Sequence, residues 1–153
     1  RVSPVCRVSH RGRVTPSHLA LFTIWCARVR IVGATPLIPS NAAKMGGEVY
    51  NKMSGGLKDA DIVMMLRLQT ERMQGSFVPS IREYFHFFGL NKEKLSVAKK
   101  DALIMHPGPM NRGVEIDSEI ADDLNISAIS EQVEMGVAVR MACLDLLSRE
   151  IVE

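Results

Sequence analysis

The sequence predicts an α/β fold: a three-layer sandwich in which helices flank a mainly parallel sheet of four to five strands, as in Rossmann-like domains. Short apolar runs alternate with helical patterns from residue 15 onward, and this alternation favours parallel strands joined by right-handed helical crossovers. Apolar residues make up 46% of the chain and charged residues 24%, as in ordinary globular proteins. With 153 residues, the chain is about one domain long.

The predicted strands share short runs of apolar or β-branched residues, at 28–33, 48–50, 61–66 and 102–106. The run RVRIVG at 28–33 ends at a glycine, which is typical of a strand that enters a turn. The run DIVMML at 61–66 is almost continuously apolar, as in strands that are covered on both faces. The sequence therefore predicts a largely buried sheet.

Helical patterns fill the segments between these strands. They predict a short helix capped by Ser40 or Asn41 that stops at Gly46 and Gly47, one turn within 54–60, an amphipathic helix from Pro79 to Gly89, a more polar helix within 91–100, and a long helix within 130–150. Serine and asparagine caps and terminal glycines are the usual boundaries of helices. The sequence thus predicts strands that alternate with helices from residue 28 to residue 150.

The long helix carries more apolar surface than one sheet face can cover. Its apolar residues form two stripes, one with Val133, Val137, Met141 and Leu144 and the other with Met135, Val139, Ala142 and Leu146. An exposed apolar stripe of this size marks an interaction surface. We expect the second stripe to need a partner surface.

Charge and cysteine content exclude several classes of function. Six arginines and no acidic residue occur in the first thirty positions, but only two aromatic residues, Phe22 and Trp25, lie among them to stack on bases, so we expect no nucleic-acid partner. The three cysteines are far apart and lack the paired spacing of zinc sites or disulfide frameworks. No apolar stretch is long enough for a membrane span and no signal peptide is visible. We expect reduced thiols, no membrane and a cytoplasmic location.

Two polar segments follow neighbouring predicted strands. Arg67 comes directly after the run at 61–66, and His106 begins the stiff segment HPGPMNRG after the last predicted strand. Ligands bind beyond the carboxyl ends of parallel strands, so both segments are expected at the same edge of the sheet. A guanidinium there suits a carboxylate or phosphate, although an arginine after a strand more often begins a solvated loop. The two prolines hold backbone carbonyls in fixed directions, where they could accept hydrogen bonds from an amine. They could equally form an ordinary tight turn, and the residues alone leave both alternatives open.

The segments DADIVMMLRLQTERM, IMHPGPMNRGVEID and QVEMGVAVRMACLDLL resemble the carboxyl-terminal half of the catalytic chain of aspartate carbamoyltransferases. The resemblance runs from about residue 12 to residue 149 and is most specific between 57 and 118. Related ornithine carbamoyltransferases usually have a cysteine in place of Pro107. The HPGP segment therefore favours aspartate as the substrate.

This resemblance implies specific roles for six residues. Arg13, in GRVTPSH, and Arg67 would hold the two carboxylates of L-aspartate, and Gln69 would help to place the amino acid. The backbone of Pro107, Gly108 and Pro109 would face carbamoyl phosphate and the attacking amine, with a cis bond into Pro109. For His106, we expect a structural histidine that shapes this turn and does not carry protons.

The resemblance also implies the reaction: the neutral amine of aspartate attacks the carbamoyl carbon, a tetrahedral species forms, and phosphate leaves. No metal or organic cofactor is implied. The expected partners are the two small substrates, together with a carbamoyl-phosphate-binding domain or other carbamoyltransferase chains.

The sequence also departs from the family. The half that binds carbamoyl phosphate has no counterpart, so we expect the isolated chain to be inactive. Residues 1–11 match poorly, which divides the chain into a segment 1–11 and an aspartate-binding domain 12–153, and leaves both the opening strand and Arg13 uncertain. Gly56 stands where we expect a larger residue.

Two other functions are alternatives to that of a carbamoyltransferase. The same domain could serve as a non-catalytic module that binds amino acids or docks on carbamoyltransferase chains, because binding alone would use the same residues. A dinucleotide-binding oxidoreductase is excluded, since no G-x-G-x-x-G motif follows any predicted strand.

Overall fold

The fold is built on a parallel sheet, seen in a computed structural model that describes residues 4–7, 28–38, 40–68 and 80–149. The strands are β1 (Pro4–Arg7), β2 (Arg30–Val32), β3 (Glu48–Tyr50), β4 (Ile62–Met64) and β5 (Leu103–Met105). They lie in the order β3-β2-β1-β4-β5, and every neighbouring pair is parallel. The prediction of an α/β fold with a mainly parallel sheet of four to five strands is confirmed.

The central strand, β1, lies within the segment 1–11 that the sequence analysis expected to match poorly. It pairs with β2 on one side and β4 on the other. The sequence analysis predicted no strand there, because the short stretch PVCR has no extended apolar run. A proline as the first residue of a strand is nevertheless tolerated. The opening strand that the family resemblance left uncertain is therefore present, while the domain boundary at residues 11 and 12 stays a prediction.

The described helices lie between the strands and, for the last two, after β5 in chain order. Two short 3₁₀ helices, Thr35–Leu37 and Ala43–Met45, are followed by α1 (Met53–Leu57), α2 (Ile81–Phe88), α3 (Lys92–Leu95), α4 (Ser118–Ala121) and α5 (Ile129–Arg149). The two predicted glycine stops are confirmed, since Gly46 with φ 87° and Gly89 each follow the last residue of a helix. The predicted caps are wrong at the second 3₁₀ helix, which begins after Ala42 without a side-chain cap.

Successive residues of β4 and the segment after it point to opposite faces of the sheet. Val63 and Met65 belong to a core cluster that also contains Leu57, Ile104 and Ile116, whereas Met64 and Leu66 belong to a second cluster with Ile31. A strand alternates its side chains between two faces, so both faces of the sheet are covered. The continuous apolar run is thereby explained.

Helix α5 leaves the body of the fold after its first residues. Ile129 is buried in the main core cluster, but the apolar side chains from Val133 to Leu147 are 44–69% exposed. The prediction that this helix carries more apolar surface than the domain covers is confirmed. Among the described residues, no helix combines the length and apolar character that a bilayer crossing requires.

Candidate functional site

The carboxyl ends of β4 and β5 place two polar segments side by side. The two strands are neighbours and parallel, and their pairing is extended by a hydrogen bond from Met65 N to Met105 O of 2.8 Å. Farther on, Asn111 Nδ2 donates to Leu68 O at 3.4 Å. The segment that contains Arg67 and the turn that follows His106 therefore lie at the same edge of the sheet, as the positions of the strands predict.

The proline turn, which we define as residues 107–109, has a backbone shape that few residues can adopt. Gly108 has φ 66° and its bond to Pro109 is cis, as the family resemblance implies. A positive φ strains any residue with a Cβ. Pro107 and Pro109 are exposed and Gly108 is half-buried, so the outer side of the turn is open to a ligand.

The backbone carbonyls of the proline turn are hydrogen-bond acceptors. Prolines offer no N–H to a neighbouring strand, and the hydrogen bonds between described residues do not end on the carbonyls of residues 107–109. A backbone carbonyl that faces a polar ligand can accept a hydrogen bond from an amine. The turn can therefore direct an amino group.

His106 holds the proline turn from inside the protein. Its side chain is 0% exposed, and Nδ1 accepts a hydrogen bond from the backbone N–H of Gly108 at 3.0 Å. Because Nδ1 is the acceptor, the proton of the neutral ring lies on Nε2. Nε2 in turn faces Oε1 of Glu115 at 3.5 Å. The histidine is thus placed to shape the turn, which agrees with the role expected from the sequence.

Glu115 is the residue of this region that the sequence analysis missed. Its side chain is 0% exposed, and Oε1 accepts a short hydrogen bond from the backbone N–H of Asn111. One signal was available in the sequence, because a lone acidic residue stands between Val114 and Ile116. A buried carboxyl group is costly unless it is hydrogen-bonded, so its position indicates a specific structural task.

Arg67 lies where the buried strand reaches the surface. Leu66 and Leu68 on either side are buried, whereas Arg67 is half-buried. A half-buried guanidinium at the edge of a sheet combines a strong charge with a fixed direction. This arrangement suits a carboxylate ligand.

Arg112 follows the proline turn in the chain, and its charge is matched by the carboxylate of Asp122. Its Nη1 and Nη2 each donate to the carboxylate of Asp122 at 2.7 Å. These paired hydrogen bonds lower the pKa of Asp122 from its usual value, because they favour the ionised carboxylate. Arg112 therefore forms an exposed ion pair at the outer end of the loop.

The first turns of α5 pack beneath the proline turn. A Cβ added to Gly108 would lie 3.1 Å from Cγ2 of Val133. The same helix continues into its exposed apolar stripes. A partner that covers α5 would therefore lie close to the site.

Two residues expected in the site, Arg13 and Gln69, fall outside the described residues, so their roles stay predictions. The structure does bring together the others: Arg67 on one segment, and Pro107, Gly108 and Pro109 on the adjacent one.

Comparison with known proteins agrees with this geometry. The sequence model of the family described as "Aspartate/ornithine carbamoyltransferase, Asp/Orn binding domain" matches residues 4–147. The chain is 60% identical over 144 residues to a protein named aspartate carbamoyltransferase catalytic subunit from Rhodospirillum rubrum, and 62% identical over 143 residues to the protein of the same name from Rhizobium meliloti. Each match covers 94% of this chain but 45% of the relative, so the chain spans under half the length of these relatives.

Solved structures show the same fold at low sequence identity. An anabolic ornithine carbamoyltransferase from Campylobacter jejuni superimposes with a TM-score of 0.76 at 21% identity, over 97% of this chain and 52% of that one. An aspartate transcarbamoylase from Trypanosoma cruzi, solved in complex with phosphate, gives 0.75 at 21% identity over 94% and 49% of the two chains.

Proposed function

Because the chain belongs to the aspartate/ornithine carbamoyltransferase family, as an Asp/Orn-binding domain, we propose that it supplies the aspartate-binding half of an aspartate carbamoyltransferase. The complete enzyme transfers the carbamoyl group from carbamoyl phosphate to the amine of L-aspartate and yields N-carbamoyl-L-aspartate and phosphate. One observation carries the proposal. Arg67 and the proline turn meet at one edge of the sheet, where the Asn111 side chain bonds to the backbone of Leu68.

The geometry supports catalysis by positioning. The guanidinium of Arg67 pairs with a carboxylate of the amino acid, while carbonyls of the proline turn accept hydrogen bonds from its amine. The neutral amine then attacks the carbamoyl carbon, and phosphate departs from the tetrahedral species, taking up the amine proton. Holding two reactants in this orientation lowers the entropic part of the barrier. Arg13 and Gln69 complete the grip on the amino acid in this proposal, and no cofactor takes part.

Aspartate is the favoured acceptor over ornithine. Pro107 stands where ornithine enzymes usually have a cysteine, and the relatives at 60–62% identity carry the aspartate carbamoyltransferase name. A guanidinium at the site is also the complementary charge for a dicarboxylate, and it would repel the side-chain ammonium of ornithine.

The carbamoyl-phosphate half comes from outside residues 12–153. The exposed apolar stripes of α5 are a suitable docking surface for it, and they begin beside Gly108. We place the assembled enzyme in pyrimidine biosynthesis and in the cytoplasm, in keeping with its reaction and with the reduced thiols expected from the sequence.

A non-catalytic module that binds amino acids or carbamoyltransferase chains is the second candidate. Arg67 and the proline turn would serve binding alone as well as they would serve catalysis. The two candidates differ in whether a supplied second half restores turnover.

The test mixes the purified chain with a separately produced carbamoyl-phosphate-binding half of the Rhodospirillum rubrum relative and measures N-carbamoyl-L-aspartate. We expect no product from either half alone and product from the mixture. A mixture that associates in light scattering but forms no product would overturn the enzymatic proposal in favour of the binding module.

A further inference from the structure

Glu115 joins the two ends of the loop that carries the proline turn. Its Oε1 accepts from the backbone N–H of Asn111, after the turn, and lies 3.5 Å from Nε2 of His106, before the turn. Both Glu115 and His106 are 0% exposed. One buried oxygen atom thus contacts both ends of residues 106–111.

A fully buried carboxyl group such as that of Glu115 is stable only where the surrounding residues supply hydrogen bonds. Burial of a polar group without partners costs several kcal/mol, roughly 2–7 depending on the reference. An apolar residue would suit the adjoining core, where Ile116 is fully buried. The carboxyl group fits because the loop offers it a donor, the backbone N–H of Asn111.

The same loop end reaches the segment that carries Arg67. Asn111, whose backbone N–H is held by Glu115, donates its side-chain amide to Leu68 O at 3.4 Å. This length exceeds the usual range of about 2.7–3.2 Å, so the bond is a weak one. It lies where the two segments approach each other at their outer end.

We propose that Glu115 and Asn111 are positioning residues that set the distance between the proline turn and Arg67, and thereby select the acceptor amino acid by its length. Glu115 determines where the carbonyls of the turn stand. Asn111 ties that loop to the backbone beside the guanidinium. This inference rests on the proposed function, because it assumes that the amine and a carboxylate of one amino acid span the gap.

A fixed gap discriminates between homologous acceptors. L-Glutamate has the same charged groups as L-aspartate but one more methylene. Fixed pockets distinguish a single methylene by roughly 10- to 200-fold. If the distance between the proline turn and Arg67 can increase, the site loses part of its preference for L-aspartate over L-glutamate.

The test uses the assembled halves and compares L-aspartate with L-glutamate. Glu115→Leu removes the acceptor, Glu115→Gln retains an oxygen for the Asn111 N–H, and Asn111→Ala removes only the side-chain bond to Leu68. We expect Glu115→Leu to raise KM for L-aspartate about tenfold and to lower the ratio of kcat/KM for aspartate over glutamate several-fold. Glu115→Gln should restore most of both, and Asn111→Ala should give a smaller change of the same kind, with KM for carbamoyl phosphate unchanged.

A purely structural role would give a different pattern. Partial unfolding lowers the active fraction, and therefore kcat, but leaves KM and the aspartate-to-glutamate ratio at the wild-type values. That pattern in Glu115→Leu and Asn111→Ala, with an active wild-type assembly, would overturn the inference and leave the proposed function intact. If Glu115→Leu does not fold, Asn111→Ala decides alone. An inactive wild-type assembly would overturn both.

Discussion

Polar side chains, two of them fully buried, shape the edge of this sheet, each through one or two defined contacts. His106 uses Nδ1 to hold the N–H of Gly108, Glu115 holds the N–H of Asn111, and Arg112 is paired with Asp122. At this scale the local sequence predicted that Arg67 and the proline turn follow neighbouring strands, whereas their binding roles came from the family resemblance and stay predictions. It missed Glu115, because its partner Asn111 and its burial depend on how the loop folds back.

The ion pair of Arg112 with Asp122 predicts a specific effect of pH. The hydrogen bonds from Arg112 lower the pKa of Asp122 in the folded protein. The stabilisation is therefore fully present above the unfolded pKa, roughly 3.9, and is lost as the pH falls through the lower folded value. Arg112→Gln should raise the pKa of Asp122 toward its ordinary value, as measured by carbon NMR of the carboxyl group.

Thermal unfolding gives the matching control for this prediction. At neutral pH the melting temperature of the wild type should lie slightly above that of Arg112→Gln. The difference should be small because exposed ion pairs contribute little to stability. In strong acid, where Asp122 is protonated, the two melting temperatures should become equal. An unchanged titration of Asp122 in the variant would show that the ion pair does not form in solution.

Single elements show where local patterns suffice and where packing decides. The strand run at 61–66 and the amphipathic pattern of α2 were predicted, because period and glycine stops are local signals. Ser80 caps α2 by accepting from the N–H of Glu83 at 3.0 Å. In α1 the expectation of a larger residue at Gly56 is wrong, since an added Cβ would collide with Cγ2 of Val32 on the adjacent strand. No local pattern reveals that contact.

Helix α1 offers a matched pair of glycines for testing this packing. Gly56 is buried against Val32, whereas its neighbour Gly55 is exposed and an added Cβ would lie 3.2 Å from the Tyr50 ring. Gly56→Ala should destabilise the protein by about 1–3 kcal/mol through overpacking, despite a gain of roughly 1 kcal/mol in helix propensity. Gly55→Ala should be neutral or stabilising by up to about 1 kcal/mol.

Urea unfolding of the two variants measures this difference as a shift in midpoint at constant slope. Equal midpoints for Gly56→Ala and Gly55→Ala would mean that α1 does not pack closely on β2.

At the scale of the whole domain, α5 presents a large exposed apolar surface. The sequence predicted this surface from the double apolar stripe of the last helix. The structure agrees, because α5 is exposed along most of its length. What the sequence could not supply is the proximity of that surface to the proline turn, which depends on Val133 packing beside Gly108.

Substitutions on α5 should separate association from folding. Val139 and Leu146 are 59% and 63% exposed, so Val139→Glu and Leu146→Glu should change the free energy of unfolding by less than roughly 0.5 kcal/mol. Both should weaken binding to the carbamoyl-phosphate half at least tenfold in calorimetric titration, because each puts a charge into an apolar interface. Ser148→Glu, on the same helix, introduces the same charge outside the two stripes and should bind as wild type. Equal affinity for all three variants would place the docking surface elsewhere.

The most direct test of the central claim is the KM for L-aspartate of the assembled halves, with Arg67→Gln compared against Arg112→Gln. Loss of a charged hydrogen bond to a carboxylate costs about 1.5–3 kcal/mol, so Arg67→Gln should raise this KM roughly 10- to 100-fold while KM for carbamoyl phosphate stays constant. Arg112→Gln, whose guanidinium is engaged by Asp122, should leave both values within about twofold. The same KM for L-aspartate in wild type and Arg67→Gln would contradict the account, because the amino acid would then not be held at this edge of the sheet.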